Sequence, residues 1–296
     1  MSDTRKVVYL FSYFTGEGAD GLRLATSENG LTWQEVDGGL PLLPPGPGSG
    51  VMRDPHLSFG PDGVFRLVWT TGWWDKGFGY AESCDLRAWS TPRFVPVMAH
   101  EPEARNTWAP EIVYDRSASH YLIFWATTIP GRFPETDLSG DLHDGRQLNH
   151  RLYCTTTTDF EHFAPASLFY DGGFNVIDGT IVDLGDRFAM IVKDETRAPI
   201  PHKHLRVTFA PAPRGPWGPA GRAFTPGWVE GPSVVRLGDA WVVYYDEYTR
   251  QRYGAMRTHD FETWEDVSGL VRMPAGARHG TVLDLPPDAV AALQAR

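Results

Sequence analysis

The 296 residues carry 27 Lys and Arg against 37 Asp and Glu, a net charge of −10, and 42% of them are hydrophobic. That balance excludes nucleic-acid binding, which needs clustered cations, and the apolar fraction excludes an intrinsically disordered chain. No run of 18 apolar residues is present, so no membrane span is expected.

The N-terminus, MSDTRKVVYLFSYF, has no apolar region of secretory type followed by a cleavage site, and a cytoplasmic location is the expectation. Its run KVVYLFSYF reads as a strand. LRLATS follows at 22–27, then the phrase ENGLTW at 28–33. From Asp54 the pattern restarts. DPHLSFGPDGVFRLVWT is a polar residue, a short strand, an Asp62-Gly63 turn and an apolar strand. FGYAES and CDLRAW complete that unit.

The same order recurs from Glu111 (EIVYDRSASHYLIFWAT, LYCTTT, TDFEHF) and from Asp178 (DGTIVDLGDRFAMIVKD, LRVTFA, PRGPWG). It recurs again from Glu230 (EGPSVVRLGDAWVVYYDE, YGAMRT, HDFETW). RHGTVLDL, carrying His279, is a first strand without followers, and PPDAVAALQAR suggests a short terminal helix. Each unit predicts four strands. Joining the last strand to the N-terminal strands completes a fifth unit. The expected fold is therefore all-β, a five-bladed β-propeller forming a single domain over 1–296, its last blade closed by both termini. A β-sandwich would not explain two complementary half-units.

The stretch 129–150 exceeds ordinary loop length and is expected to overhang the ring and shape a pocket. Cys84 and Cys154 lack metal or disulfide spacing and are expected to be free buried thiols. Of the eleven Trp residues, most are expected to fill blades and two or three to face a ligand.

First strands of propeller blades line the central channel. Asp54, Glu111, Asp178, Glu230 and His279 open the five units, so four acids and an imidazole are expected near the axis. Crowded carboxylates raise one another's pKa, an arrangement that needs a use. Glycoside hydrolysis uses one protonated and one ionised carboxyl. Calcium binding is the rival use of an oxygen ring. No metal site is assigned and no cofactor is expected, beyond a water or cation that His279 could hold at the axis.

Four segments carry a resemblance to glycoside hydrolase family 43: MRDPH at 52–56, NTWAPEIVY at 106–114, NVIDGTIV at 175–182 and WVEGPSVV at 228–235. The resemblance implies a five-bladed propeller and an inverting hydrolase. It implies Asp54 as base, Asp178 as the residue tuning the acid, and Glu230 as acid, protonated in a desolvated site. Glu111 departs from the family, which often has Asp or a smaller residue there. The RDP tripeptide resembles the fructan-cleaving families 32 and 68, but their other motifs are missing. Substrate contacts are expected from Arg53, Trp73, Trp74, Trp108, Glu111, Phe133, Arg250, Arg252 and His279. The runs KDETR at 193–197 and DEYTR at 246–250 are expected to support the pocket from behind.

The resulting expectation is an exo-acting α-L-arabinofuranosidase or β-D-galactofuranosidase with a carbohydrate as its only partner class. No nucleic acid or membrane is involved, and no oligomeric state is read. Endo-arabinanase or β-xylosidase activity is the alternative within the family. A non-catalytic sugar-binding propeller and a protein-interaction propeller are the alternatives outside it.

Overall fold

Period-two strands separated by turn residues become small antiparallel sheets. The computed structural model describes residues 8–294. Lys6 and Val7 of the first predicted strand, and Ala295 and Arg296 of the terminal helix, lie outside the described residues.

Five sheets form the blades. The first holds β1 (Val8–Thr15), β2 (Arg23–Ser27) and β3 (Gln34–Glu35), and the second holds β4 (Arg53–Phe59), β5 (Phe65–Thr70), β6 (Phe78–Ser83) and β7 (Arg93–Val95). In the third, β8 (Trp108–Asp115) and β9 (His120–Thr128) are followed by a separate hairpin, β10 (Asp141–His143) and β11 (Arg146–Leu148). The blade then resumes with β12 (His150–Thr157) and β13 (Ser167–Tyr170). The fourth has β14 (Val176–Asp183), β15 (Phe188–Asp194) and β16 (His204–Ala210). The fifth has β17 (Glu230–Leu237), β18 (Ala240–Glu247), β19 (Arg252–Thr258) and β20 (Glu265–Asp266). Strand β21 (Ala277–Leu285) pairs with β1 and completes the first blade. Helix α1 (Ala291–Gln294) is the short terminal helix. Among the described residues no helix is long and apolar enough to cross a membrane.

The second strand of each blade reads as an unbroken apolar run because both its faces are buried. Alternate residues serve alternate neighbours. In β9, Tyr121, Ile123 and Trp125 pack toward the blade of β5, and Leu122, Phe124 and Ala126 toward that of β15. In β18, Val243 and Tyr245 pack against the blade of β15, and Val242 and Tyr244 against that of β1. Five apolar clusters therefore lie between successive blades around the ring. Each fully buried large side chain contributes roughly 1.5–3 kcal/mol.

The aromatic phrases are turns. Ser27, Ser83, Thr157 and Thr258 each accept a backbone N–H three residues on, and Asn29, Asp85, Asp159 and Asp260 close the turn behind them. The copy PRGPWG has no such pair. Its blade has three strands, not the four expected. Cys154 is buried and Cys84 exposed, so only one of the two expected buried thiols is found.

Candidate active site

The site is built from one repeated irregularity. In every first strand, two residues oppose one on the second strand, a β-bulge. Asp54 and Pro55 face Trp69, and Ala109 and Pro110 face Trp125. Asp178 and Gly179 face Val192, Gly231 and Pro232 face Tyr245, and His279 and Gly280 face Tyr13. All five opposing side chains are buried. Bulges re-aim side chains, and four of the leading residues adopt left-handed backbone: Asp54 (φ 51°), Ala109 (φ 46°), Asp178 (φ 52°) and Gly231 (φ 58°). Such a conformation disfavours any residue but glycine, so three of these sites store strain.

The bulge corrects the alignment of units. Asp54, Ala109, Asp178, Gly231 and His279 are equivalent, and Glu230 sits one residue earlier, level with Arg53 and Arg278. Glu111 lies two residues beyond Ala109. It is buried beside His56, its carboxylate 3.5 Å from Nδ1, and does not line the cavity.

The cavity encloses about 270 Å³. On its floor Asp54, Asp178, Glu230 and His279 meet. His279 Nδ1 is 3.2 Å from Asp54 Oδ1 and 4.0 Å from Asp178 Oδ2. The Thr70 hydroxyl donates to Asp54 Oδ2 at 2.8 Å and accepts from the Ala109 N–H at 2.8 Å, tying two bulges together. The Gly231 N–H donates to Asp178 Oδ2 at 3.1 Å. A Cβ at Gly231 would stand 2.4 Å from His279 Cγ, so only glycine admits the imidazole.

The four groups take unlike charges. Burial raises Asp54, but the His279 charge and hydrogen bond, with Arg53 and Thr70, outweigh it and hold the carboxyl at about 2. Burial lowers His279, yet Asp54 and Asp178 push it up to about 9. Burial raises Asp178 to about 6, with Glu230 and Asp54 adding to the rise against His279 and Lys193.

Burial also raises Glu230, but Lys193, His279 and Arg278 overcome it and the carboxyl lies below its ordinary value. Lys193 Nζ is 3.3 Å from Glu230 Oε2, and Arg278 Nη2 is 3.1 Å from Oε1. The shift of Glu230 thus runs downward, opposite to the direction that a carboxyl kept protonated by desolvation would show. Of the three floor carboxyls, Asp178 is the one whose proton affinity is raised, to about 6.

Arg53, Trp73 and Trp108 line the cavity as expected. The Arg53 guanidinium lies over the Trp73 ring and pairs with Glu17 at 2.9 Å. The 129–150 insertion does overhang the pocket: Asp141, Leu142, His143 and Leu148 are in its wall, and His143 stacks on Trp73 at 4.1 Å. Besides Glu111, four expected contacts lie outside the cavity lining. Trp74 is on the rim under Arg146, Phe133 packs against Arg151 beside a different cavity, and Arg250 pairs with Glu247 at 2.9 Å. Arg252, too, pairs with Glu247.

Several wall residues were not foreseen. Lys193, Glu195, Lys203, His150, Trp228 and Tyr248 all face the cavity. Lys193 also pairs with Glu195 at 2.7 Å, and Lys203 pairs with Glu195 and with Asp141 of the hairpin. A lysine inside the buried run FAMIVKD was the available signal for Lys193. Both runs therefore reach the cavity directly, KDETR through Lys193 and Glu195 and DEYTR through Tyr248, while Asp246 stays behind it, holding Arg278 at 2.7 Å.

Carboxyls of unlike proton affinity around one small cavity are the equipment of a glycosidase. The chain belongs to the glycosyl hydrolase family 43-related family, described as "Probable glycosyl hydrolase domain", which it matches over residues 5–289. It is 24% identical over 117 residues to an α-L-arabinofuranosidase of Bifidobacterium longum subsp. longum, a match covering 38% of this chain and 11% of that protein. Its fold resembles a thermostable family-43 glycoside hydrolase at a TM-score of 0.59, with 14% identity and 80% of each chain covered. It also resembles an α-L-arabinofuranosidase from Lactobacillus brevis at 0.57, with 15% identity, covering 77% of this chain and 74% of that one. These likenesses bear out the five-bladed propeller.

Proposed function

We propose that the chain removes a terminal furanose sugar, an α-L-arabinofuranosyl or β-D-galactofuranosyl unit, by hydrolysis with inversion. The supporting observation is the cavity of about 270 Å³, with Asp54, Asp178 and Glu230 on its floor and a hairpin across its wall. That volume is below the roughly 300–1,000 Å³ of pockets for larger ligands and suits one sugar ring. Closure by β10 and β11 favours an end residue over a chain interior.

In this reading Asp54, ionised and oriented by Thr70 and His279, takes a proton from the attacking water. Glu230 donates to the glycosidic oxygen. A sugar seated in the pocket strips water from Glu230 and competes for Lys193, both of which raise the carboxyl's proton affinity. Trp73 and Trp108 offer apolar faces to the ring. Asp178 tunes the charge around Glu230 through His279 and the Gly231 amide.

A second reading makes Asp178 the proton donor, because it is the one floor carboxyl pushed up to about 6. Nitrophenyl arabinofuranosides, galactofuranosides and xylosides test the substrate class. Proton magnetic resonance of the first-formed sugar tests inversion. No turnover of any of these by the intact chain, with sugar binding retained, would replace the hydrolase by the non-catalytic sugar-binding propeller.

A further inference from the structure

One ligand-bearing cluster lies outside the cavity, on the reverse side of its wall. Among the described residues, Asp194, His202 and His204 bring one ligand atom each to within 4.8 Å of one another. The arrangement follows from the strand ladder. Asp194 ends β15 and is paired directly with His204, which begins β16. His202 precedes by two residues, and its ring lies parallel to that of His204, 5.1 Å away at 11°.

We propose that Asp194, His202 and His204 form a binding site for a borderline divalent metal, Zn²⁺ by ligand chemistry, that braces this wall of the cavity. Two imidazoles and a carboxylate are the donor set of an open zinc site, with a solvent position left for a fourth ligand. Tetrahedral bonds of about 2.0–2.1 Å place ligand atoms about 3.3 Å apart. Asp194 Oδ2 is 3.0 Å from His202 Nδ1 and 3.9 Å from His204 Nε2, on either side of that value. His202 is exposed, and its ring would turn out of the stack with His204 so that both lone pairs meet one ion.

The supporting groups are in place. Asp194 is fully buried, and its other oxygen accepts the Thr196 N–H at 3.1 Å, which fixes the carboxylate plane. Arg206 Nη1 also reaches Asp194 Oδ2 at 3.1 Å, but the guanidinium is anchored independently by the carbonyls of Gly221 and Ala220. Its charge opposes a cation, so the site is one of moderate affinity.

The site's position gives it a consequence. Lys203 lies between the two histidines in left-handed backbone (φ 49°), and its ammonium enters the cavity to pair with Glu195 and Asp141. A metal joining His202 to His204 and β15 would clamp that strained residue from outside.

The full-length chain, stripped with a chelator, is titrated with ZnCl₂ in a calorimeter. One Zn²⁺ per chain is expected, with a metal-dependent rise in melting temperature. His202→Ala and His204→Ala should each weaken binding by about tenfold or more, and His162→Ala, at an exposed histidine on another blade, should not. Absence of binding to the parent chain overturns the proposal, as does binding that both variants retain. If His204→Ala fails to fold, exposed His202 decides alone.

Discussion

Lys193 Nζ lies between two carboxylates, 2.7 Å from Glu195 and 3.3 Å from Glu230. Glu195 in turn holds Lys203, which holds Asp141 of the insertion. Alternating charges thus run from the floor of the cavity to the hairpin over it, and Lys193 governs the charge that Glu230 carries.

Replacing Lys193 by Met removes the largest influence that keeps Glu230 ionised. If Glu230 is the acid, the alkaline limb of the kcat/KM profile moves to higher pH by about one unit or more. Lys193→Arg keeps the limb in place. The Met variant also loses one of the two cationic partners of each carboxylate, Glu195 keeping Lys203 and Glu230 keeping Arg278, and is expected to be less stable than the parent. An unmoved limb in a folded Met variant would remove Lys193 from this role.

Glu230→Gln separates the two donors. Loss of a general acid costs about 10²–10⁴-fold on a poor leaving group, and much less on an activated aryl glycoside. That steep dependence is expected in the Glu230→Gln enzyme and not in Asp178→Asn. The opposite pattern would move the proton donor to Asp178.

The floor also sets a pH dependence of stability. His279 is raised from 6.5 to about 9, so its contribution is complete below 6.5 and disappears as pH rises through 9. Asp54 is depressed from 3.8 to about 2, so its contribution is complete above 3.8 and disappears as pH falls through 2. Asp178, raised to about 6, holds its proton more tightly when folded, and stability falls as pH climbs from 3.8 toward 6. Urea unfolding from pH 4 to pH 10 should therefore show decline toward the alkaline end, on the order of a few kcal/mol. His279→Gln should flatten it above pH 7.

Gly231→Ala probes the bulge. The new methyl meets the His279 ring and forces a residue with a Cβ into left-handed backbone. Overpacking of this kind costs about 1–3 kcal/mol. Turnover should fall further than stability explains, because the imidazole leaves Asp54 and Asp178. A crystal structure of the variant with His279 unmoved would contradict this.

The ring was legible because its signals are local and repeated: apolar second strands, turn phrases, and two half-units that fit each other. Asp54 and Asp178 were legible as candidates because each opens a repeated unit and sits in one of the family-like segments, MRDPH and NVIDGTIV. Glu111 was misplaced because aligning units on their acidic residues ignores the extra residue that a bulge inserts, and the equivalent position is Ala109. Lys193 was passed over as part of a supporting run, since period-two reasoning assigns it a face but not a partner on the next blade. Asp141 and His143 come from an insertion outside the repeat, so no spacing rule could aim them at Trp73 or Lys203. The downward shift of Glu230 depends on Lys193 and Arg278, which are 37 and 48 residues away in sequence.

Strand β21 follows every other strand in the chain, yet it slots beside β1 and delivers Arg278 and His279 to the floor. During synthesis the earlier blades can assemble while Asp54, Asp178 and Glu230 still lack the imidazolium between them. The floor is therefore complete only once that strand docks, and a nascent or clipped chain without it would lack Arg278 and His279 beside its acids.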